Sequence, residues 1–327
     1  MQIPKETRRA LSAVADKLLM ARGKFRRVSA PTLPPPQFID ELNSLLGELT
    51  MPHSLSPTAV NPIAEIVTAD SGGVGKTTLA VQLATAHRLT GAPLDLYQLD
   101  AKDKLANKTG LAVTSLTVAA ARVESGDLSP ADVIAPWYRA ATSMPSSGRS
   151  VLLEVGGANA PLFHAGIADL DLQEDIETLG LAVVAFIVIV AGEESATQML
   201  KEIARFETNL PGAKLVVVRN EMRGCPLAAA EFLDDKLKRT FLGALESHPS
   251  IRMPRVRPRS MAIYERLHVT PDVVVSWHQG DYAEAIGQTG RPRDEAKIFV
   301  KDVAAWSGVM QDELFRVLPM LAGGDNG

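Results

Sequence analysis

The chain has 327 residues, of which 46% are hydrophobic and 22% are charged, a composition typical of a globular protein with a large core. A net charge of −4 excludes a globally basic nucleic-acid binder, so any such contact must come from a local patch. The one cysteine, Cys225, excludes an intrachain disulfide and favours a cytoplasmic location. We expect its thiol to be a small buried side chain.

The first 60 residues form a predicted helical extension. The segment MQIPKETRRALS carries charges where a secretion signal needs apolar residues. Residues 6–22 combine an apolar stripe with a basic face, which predicts an amphipathic helix packed on the core or on a protein partner. A basic arm that contacts nucleic acid or membrane is the alternative. The stretch PTLPPP at 31–36 predicts an extended linker, and residues 38–49 predict another short helix.

The stretch 66–80, IVTADSGGVGKTTLA, predicts a strand, a glycine-rich phosphate loop and a helix. The glycines let the backbone fold tightly and turn its N–H groups toward an anion, and the helix adds its positive N-terminal end. Lys76 would reach the β- and γ-phosphates of a nucleotide, and the Thr77 hydroxyl would bind Mg²⁺. Asp70 stands where the general pattern has its first glycine, and a turn without a phosphate is the alternative. The predicted nucleotide-binding residues of the loop are Gly72, Gly73, Val74, Gly75, Lys76, Thr77 and Thr78.

Strands and helices alternate from residue 61 onward, which predicts an α/β fold with a doubly wound, mostly parallel sheet and helices on both faces. The longest apolar run, 179–191, is shorter than the about 20 residues that cross a bilayer, so we expect a buried strand and no integral membrane segment. We expect domains at 1–60, 61–290 and 291–327, the last a helical tail. The predicted strands are 94–99, 151–155, the run before Ala191, 215–219 and 250–253; the predicted helices are 77–89, 114–125, 129–140, 162–168, 171–178, 194–208, 228–245 and 294–321.

Polar side chains follow several of these strands, where ligands bind in parallel sheets. Asp100 comes directly after the strand 94–99, and a carboxylate there suits water activation or Mg²⁺ binding; a turn-capping aspartate is the alternative. Glu154 ends the apolar strand VLLEV, where an unpaired charge is costly to bury. Two glycines follow Glu154 and would let the backbone approach a phosphate. Asn220 directly follows the strand 215–219. Its amide offers both a donor and an acceptor to a nucleotide base; a turn-forming asparagine is the alternative.

The core GGVGKTT resembles the deviant Walker A loop of the ParA/MinD group of ATPases, KGGVGKTT, with Ser71 in place of their signature lysine. The resemblance implies a P-loop NTPase fold of the SIMIBI type, with ATP and Mg²⁺ as ligands and a homodimer. It implies catalytic roles for Lys76, Asp100 and Glu154, and metal binding by Thr77, Asp100 and Glu154.

The same resemblance covers about residues 61–275 and extends to the base. Asn220 and Pro254 match the family residues that lie against adenine. Gln98 replaces the first aspartate of the family's DxDPQ pattern, in which Asp100 takes the second position.

The segment PRVRPRSMAIYERL is similar to plasmid partition and TraL-like conjugative-transfer ATPases, so the resemblance implies an ATP-binding switch ATPase in DNA partition, positioning or transfer. Four arginines on the overlapping stretch RMPRVRPR, which is extended and proline-stiffened, are the candidate contacts for non-specific DNA; pairing with acidic surface residues is the alternative. They are Arg252, Arg255, Arg257 and Arg259.

Two other classes of function stay open. Ser71, Gln98 and Glu154 all depart from the family, which is typical of a non-hydrolysing, nucleotide-gated scaffold that binds a protein partner. A small-molecule kinase or ligase is the third interpretation, although the sequence has no signature of a second substrate pocket.

Overall fold

The computed structural model describes residues 61–100, 104–117, 122–123 and 126–322. The helical extension predicted for residues 1–60 lies outside these residues. No helix in the described part of the chain is both long enough and apolar enough to cross a bilayer.

A seven-stranded parallel sheet forms the centre of the fold, with strand order β3-β2-β4-β1-β5-β6-β7. The central strand β1 pairs with β4 on one side and β5 on the other. The strand order reverses beside β1, and ligands bind at such a point, outside the carboxyl ends of the strands. The strands are β1 Ile63–Thr68, β2 Leu94–Leu99, β3 Val113–Ser115, β4 Ser150–Val155, β5 Ala182–Ile189, β6 Lys214–Asn220 and β7 Ser250–Met253.

Helices cover both faces of the sheet, which confirms the expected doubly wound α/β fold. The helices are α1 Lys76–Thr90, α2 Lys104–Thr109, α3 Pro130–Thr142, α4 Met144–Ser147, α5 Ala160–Asp169, α6 Leu172–Leu179, α7 Glu193–Asn209, α8 Pro226–Ala229, α9 Asp235–Ser247, α10 Pro258–Tyr264, α11 Pro271–Ser276, α12 Ala283–Thr289 and α13 Arg293–Val317. Short 3₁₀ turns lie at Gly157–Asn159, Ala230–Phe232, Gln279–Tyr282 and Pro319–Ala322.

The two faces have separate hydrophobic cores because neighbouring residues of a strand point to opposite sides. In β5, Val184 and Phe186 pack with α1 and α13, whereas Val183 and Ala185 pack with α3, α5 and α7. Every residue of β5 except its first is buried. The long apolar run is therefore a central strand, as its length predicted.

Three local predictions are wrong. Val113–Ser115 is an edge strand paired with β2, not the start of a helix, because its β-branched residues extend the sheet and the Leu116 N–H donates to the Gln98 carbonyl at 2.8 Å. The predicted helix 228–245 is interrupted where Asp234 caps a new helix, accepting 3.0 Å bonds from the N–H groups of Lys236 and Leu237. Cys225 is exposed, since the turn after β6 lies at the surface.

Candidate functional site

The loop between β1 and α1 turns tightly at two glycines. Gly73 and Gly75 have φ values of 70° and 100°, in the left-handed region that favours glycine. Gly75 also caps α1, and its carbonyl accepts a 3.0 Å bond from the Leu79 N–H. A Cβ on Gly75 would lie 2.4 Å from Asn220 Nδ2, so only glycine fits there. The loop thereby directs the N-terminus of α1 toward a cavity at the strand ends.

Lys76 lies inside this loop with 6% of its surface exposed. Its ammonium donates to the Ser71 carbonyl at 2.6 Å and to the Ala69 carbonyl at 3.3 Å. Burial lowers the pKa of Lys76, against the raising effect of the Glu154 and Asp100 carboxylates. The loop itself therefore holds the Lys76 side chain at its own opening.

Thr77 and Glu154 are hydrogen-bonded across the site, with the Thr77 hydroxyl 2.5 Å from Glu154 Oε1. Glu154 lies near the carboxyl end of β4, between Val67 on β1 and Gln98 on β2. It is 1% exposed. Burial raises the pKa of Glu154 to about 7; the bond from Thr77 opposes this rise and the charge of Asp100 adds to it. Its second oxygen, Oε2, is buried without a hydrogen-bond partner.

The orphaned carboxylate oxygen beside a threonine hydroxyl fits a hard cation such as Mg²⁺, which prefers oxygen ligands. Asp100 lines the same cavity from the end of β2. Within the described residues no three His, Cys, Asp or Glu side chains converge on one point, so phosphate oxygens and water would complete the coordination. The residues suited to the metal are Thr77, Asp100 and Glu154.

The two glycines after β4 bring separate loops into contact. A Cβ on Gly157 would lie 3.0 Å from the backbone of Ser71, and a Cβ on Gly156 would lie 2.9 Å from Asp100 Oδ2. The absence of side chains therefore lets the β4 loop lie directly against both the phosphate loop and Asp100.

The site opens into a cavity of about 830 Å³, within the size range of small-molecule and cofactor pockets. One wall of the cavity comes from α2 and from the C-terminal end of α10, and no sequence motif indicated it. Lys108 joins the two helices by donating to the carbonyls of Tyr264 and Leu267, each at 3.3 Å. The residues of this wall are Lys104, Asn107, Lys108, Met261, Tyr264, Glu265 and His268.

Asn220 contacts the loop rather than the cavity, whose lining does not include it. Its Nδ2 donates to the Val74 carbonyl at 2.7 Å, and its Oδ1 accepts from the Met222 N–H at 3.0 Å. Pro254 follows β7, is half-buried and also lies outside the cavity lining. Contact of these two residues with a base stays a prediction, whereas support of the loop by Asn220 is observed.

A buried polar network that sequence reasoning missed lies on the other face of β1. Glu202 of α7 accepts from the Thr68 hydroxyl at 2.7 Å and from Arg205 at 3.0 Å, and His164 Nε2 lies 3.1 Å from it. Arg205 also pairs with Asp70 at 3.3 Å. Burial would raise the pKa of Glu202, but His164, Thr68 and Arg205 together hold it below its ordinary value. The network thereby connects α5 and α7 to the first residues of the phosphate loop.

The arginine segment is not extended throughout. Arg252 belongs to β7 and Arg259 to α10, because a helix begins at Pro258. Arg255 is exposed and has no ion pair among the residues that the structure describes. The other three pair with carboxylates: Arg252 with Glu221 at 2.9 Å, Arg257 with Asp302 at 3.4 Å and Arg259 with Glu295 at 2.5 Å.

Neither a protein-family model nor a curated protein matches the sequence. Among solved structures, the MinD cell division protein of Aquifex aeolicus is similar with a TM-score of 0.41 and 16% identity, over 75% of this chain and 97% of that one. The MinC:MinD complex from the same organism gives 0.40 and 13%, over 75% and 96%. The strand order and parallel pairing of the sheet define the doubly wound fold.

Proposed function

We propose that this chain binds ATP with Mg²⁺ beside the β1–α1 loop and acts as a slow switch ATPase of the ParA/MinD type. The observation that carries the proposal is the convergence of Lys76, Thr77 and Glu154 at the mouth of a left-handed glycine loop that caps a helix. Such a loop offers N–H groups, a cation and metal ligands to the same phosphates.

Each side chain has a separate role in this proposal. Lys76 would exchange its bonds to the loop carbonyls for bonds to phosphate oxygens, and Asp100 would orient a water molecule for in-line attack. Thr77 and Glu154 would hold Mg²⁺, which neutralises phosphate charge when bound. Hydrolysis is expected to be slow and controlled by a partner, as in a switch.

The test is an equilibrium titration with ATP·Mg²⁺ beside a turnover assay, on the full-length chain and on Lys76→Ala. We expect Lys76→Ala to weaken ATP binding roughly tenfold or more, because a charge-assisted phosphate contact is lost. Binding that is unchanged by Lys76→Ala would contradict the proposal.

The finer part of the proposal is a role in DNA partition, positioning or conjugative transfer, as a cytoplasmic homodimer. Its support is the resemblance of the loop and of PRVRPRSMAIYERL to those ATPases, together with the exposure of Arg255. We expect double-stranded DNA to stimulate ATP turnover by the wild-type chain. The same DNA should stimulate turnover by Arg255→Ala less. If DNA changes neither ATP turnover nor ATP binding, the DNA-related role is wrong and the proposed ATP-binding switch is unaffected.

A nucleotide-gated scaffold is the second candidate. The observation that favours it is the replacement of the signature lysine by Ser71, whose carbonyl holds the Lys76 ammonium in the same subunit. ATP binding without turnover under any condition, with a protein partner retained only in the presence of ATP, would support the scaffold over the ATPase.

A further inference from the structure

A turn after β6 places an arginine against the phosphate loop. A Cβ on Gly73 would lie 3.6 Å from Nη2 of Arg223, so the guanidinium lies beside the open side of that glycine. Gly73 belongs to the run whose N–H groups are positioned for phosphates. Arg223 therefore places a positive charge beside the phosphate loop, next to Met222 in the cavity lining although not itself part of that lining.

The turn that carries Arg223 is fixed to the loop by several backbone and side-chain bonds. The Asn220 amide bonds to the loop through the Val74 carbonyl and to the turn through the Met222 N–H. The Glu221 N–H donates to the Met253 carbonyl at 3.0 Å, which ties the turn to β7 as well. The backbone of the turn that carries Arg223 is thus held beside the loop.

The electrostatic surroundings distinguish Arg223 from nearby arginines. Arg205 pairs with Asp70 and Glu202, and Arg252 pairs with Glu221. Arg223 is exposed and forms no ion pair with any residue in the described part of the chain. A guanidinium without a carboxylate partner is available to an anionic ligand, and its planar fork matches the geometry of phosphate oxygens.

We propose that Arg223 is a phosphate-binding residue, whose guanidinium donates to the phosphate chain of the nucleotide held by the loop. This inference rests on the proposed function and adds a cation that no motif in the sequence indicates. The stretch RNEMRG has no phosphate-binding pattern of its own. Arg223 reaches the loop only because the Asn220 amide folds the turn back toward it.

The experiment measures equilibrium binding of two probes, inorganic tripolyphosphate and ATP, both with Mg²⁺, to the full-length chain. The variants are Arg223→Ala and Arg223→Lys, with Arg139→Ala as the matched control. Arg139 is an exposed arginine near the end of α3, a helix that contributes no residue to the cavity lining, whereas Met222, next to Arg223, belongs to that lining. We expect Arg223→Ala to weaken both probes by a similar factor of roughly ten or more. Arg223→Lys should retain part of the affinity as a point charge, and Arg139→Ala should change nothing.

The outcomes separate this inference from the proposed function. If Arg223→Ala binds both probes as well as Arg139→Ala does, while Lys76→Ala loses binding, Arg223 has no role in phosphate binding. The proposed nucleotide site would still stand. A loss confined to ATP would indicate a contact with the base or sugar and would also contradict phosphate binding by Arg223. If the wild-type protein binds neither probe, both the proposed nucleotide site and the role of Arg223 are wrong. Circular dichroism and thermal unfolding identify any variant that has not folded, and the Arg223→Lys result then decides.

Discussion

Gly157 and Ser71 bring two loops into backbone contact beside the opening of the phosphate loop. The contact is possible because Gly157 has no side chain, and the neighbouring atoms belong to backbone that cannot rotate away. Gly72, in the phosphate loop itself, has open space within 4 Å of the position that a Cβ would occupy. The two glycines therefore form a natural pair for substitution.

We predict that Gly157→Ala weakens ATP binding roughly tenfold and destabilises the fold by about 1–3 kcal/mol, because the added methyl displaces the backbone at Ser71. Gly72→Ala is the matched control and should leave stability within about 0.5 kcal/mol of wild type. Urea unfolding of the two variants compares their stabilities, and ATP titration of Gly157→Ala against wild type measures the change in affinity. An equal loss of stability in both variants would contradict the steric explanation.

The raised pKa of the single residue Glu154 predicts that the free energy of unfolding depends on pH. Its pKa in the folded protein is about 7, above the ordinary value of 4.5, so the folded state binds more protons than the unfolded state between these values. Its contribution to stability therefore falls as the pH rises from 4.5 to 7. We predict that Glu154→Gln raises the free energy of unfolding at pH 8 by up to about 3 kcal/mol in metal-free buffer.

The control for this change is Glu246→Gln, an exposed glutamate of α9. Unfolding by urea at pH 5 and pH 8 gives the comparison. A Glu154→Gln variant with the same pH slope as Glu246→Gln would show that Glu154 is ionised in the folded protein at neutral pH.

At the scale of elements, Glu202 joins helix α7 to strand β1 and, through Arg205, to the start of the phosphate loop. Three donors satisfy its carboxylate, so a buried charge stabilises the packing of α5 and α7 on the sheet. The lowered pKa of Glu202 gives a stability that is present above its unfolded value of 4.5 and is lost as the pH falls through the folded value.

We predict that Glu202→Gln destabilises the protein by about 1–3 kcal/mol at pH 7, because Thr68 and Arg205 lose a charged acceptor, although Arg205 keeps its pair with Asp70. The variant should lose less stability than wild type when the pH falls from 5 to 3. Chemical unfolding at these pH values tests the prediction. A parallel acid response of wild type and variant would show that other carboxylates determine it.

Local elements of the site were predictable from the sequence, whereas contacts between distant segments were not. The strand, the glycine loop and α1 are consecutive, and Asp100 and Glu154 follow from the rule that ligands bind at parallel strand ends. Thr68 and Glu202 are 134 residues apart, and their contact depends on how α7 packs. The wall formed by α2 and α10 depends in the same way on tertiary structure. Edge strand β3 was missed because three residues carry too weak a pattern.

At the scale of the whole molecule, α13 completes the core on the α1 face. Phe299, Val303, Trp306 and Met310 are buried there in the same cluster as β1 and α1. A buried glutamine pair adds a polar contact, since Gln311 Nε2 donates to Gln82 Oε1 at 3.0 Å. Residues 293–317 thus cover apolar side chains of α1 and the sheet that would otherwise be exposed.

We predict that a chain ending at residue 290 is insoluble or unfolded, because truncation exposes the apolar surface that α13 covers. A chain ending at residue 322 is the control and should unfold at the wild-type temperature. Solubility, circular dichroism and thermal unfolding measure the difference. A stable, ATP-binding chain of 290 residues would support a separate C-terminal tail.

The bonds from Lys76 to the carbonyls of Ala69 and Ser71 have a consequence for the kinetics of recognition. They cross-link the loop through its own side chain, so the backbone amides are already oriented and little chain entropy remains to be lost on association. We expect the association rate of ATP to depend more on electrostatic attraction than on reorganisation of the loop. The phosphate loop would then bind ATP as a rigid receptor. The residence time of ATP would depend on how readily the Lys76 ammonium exchanges phosphate oxygens for the carbonyls of Ala69 and Ser71.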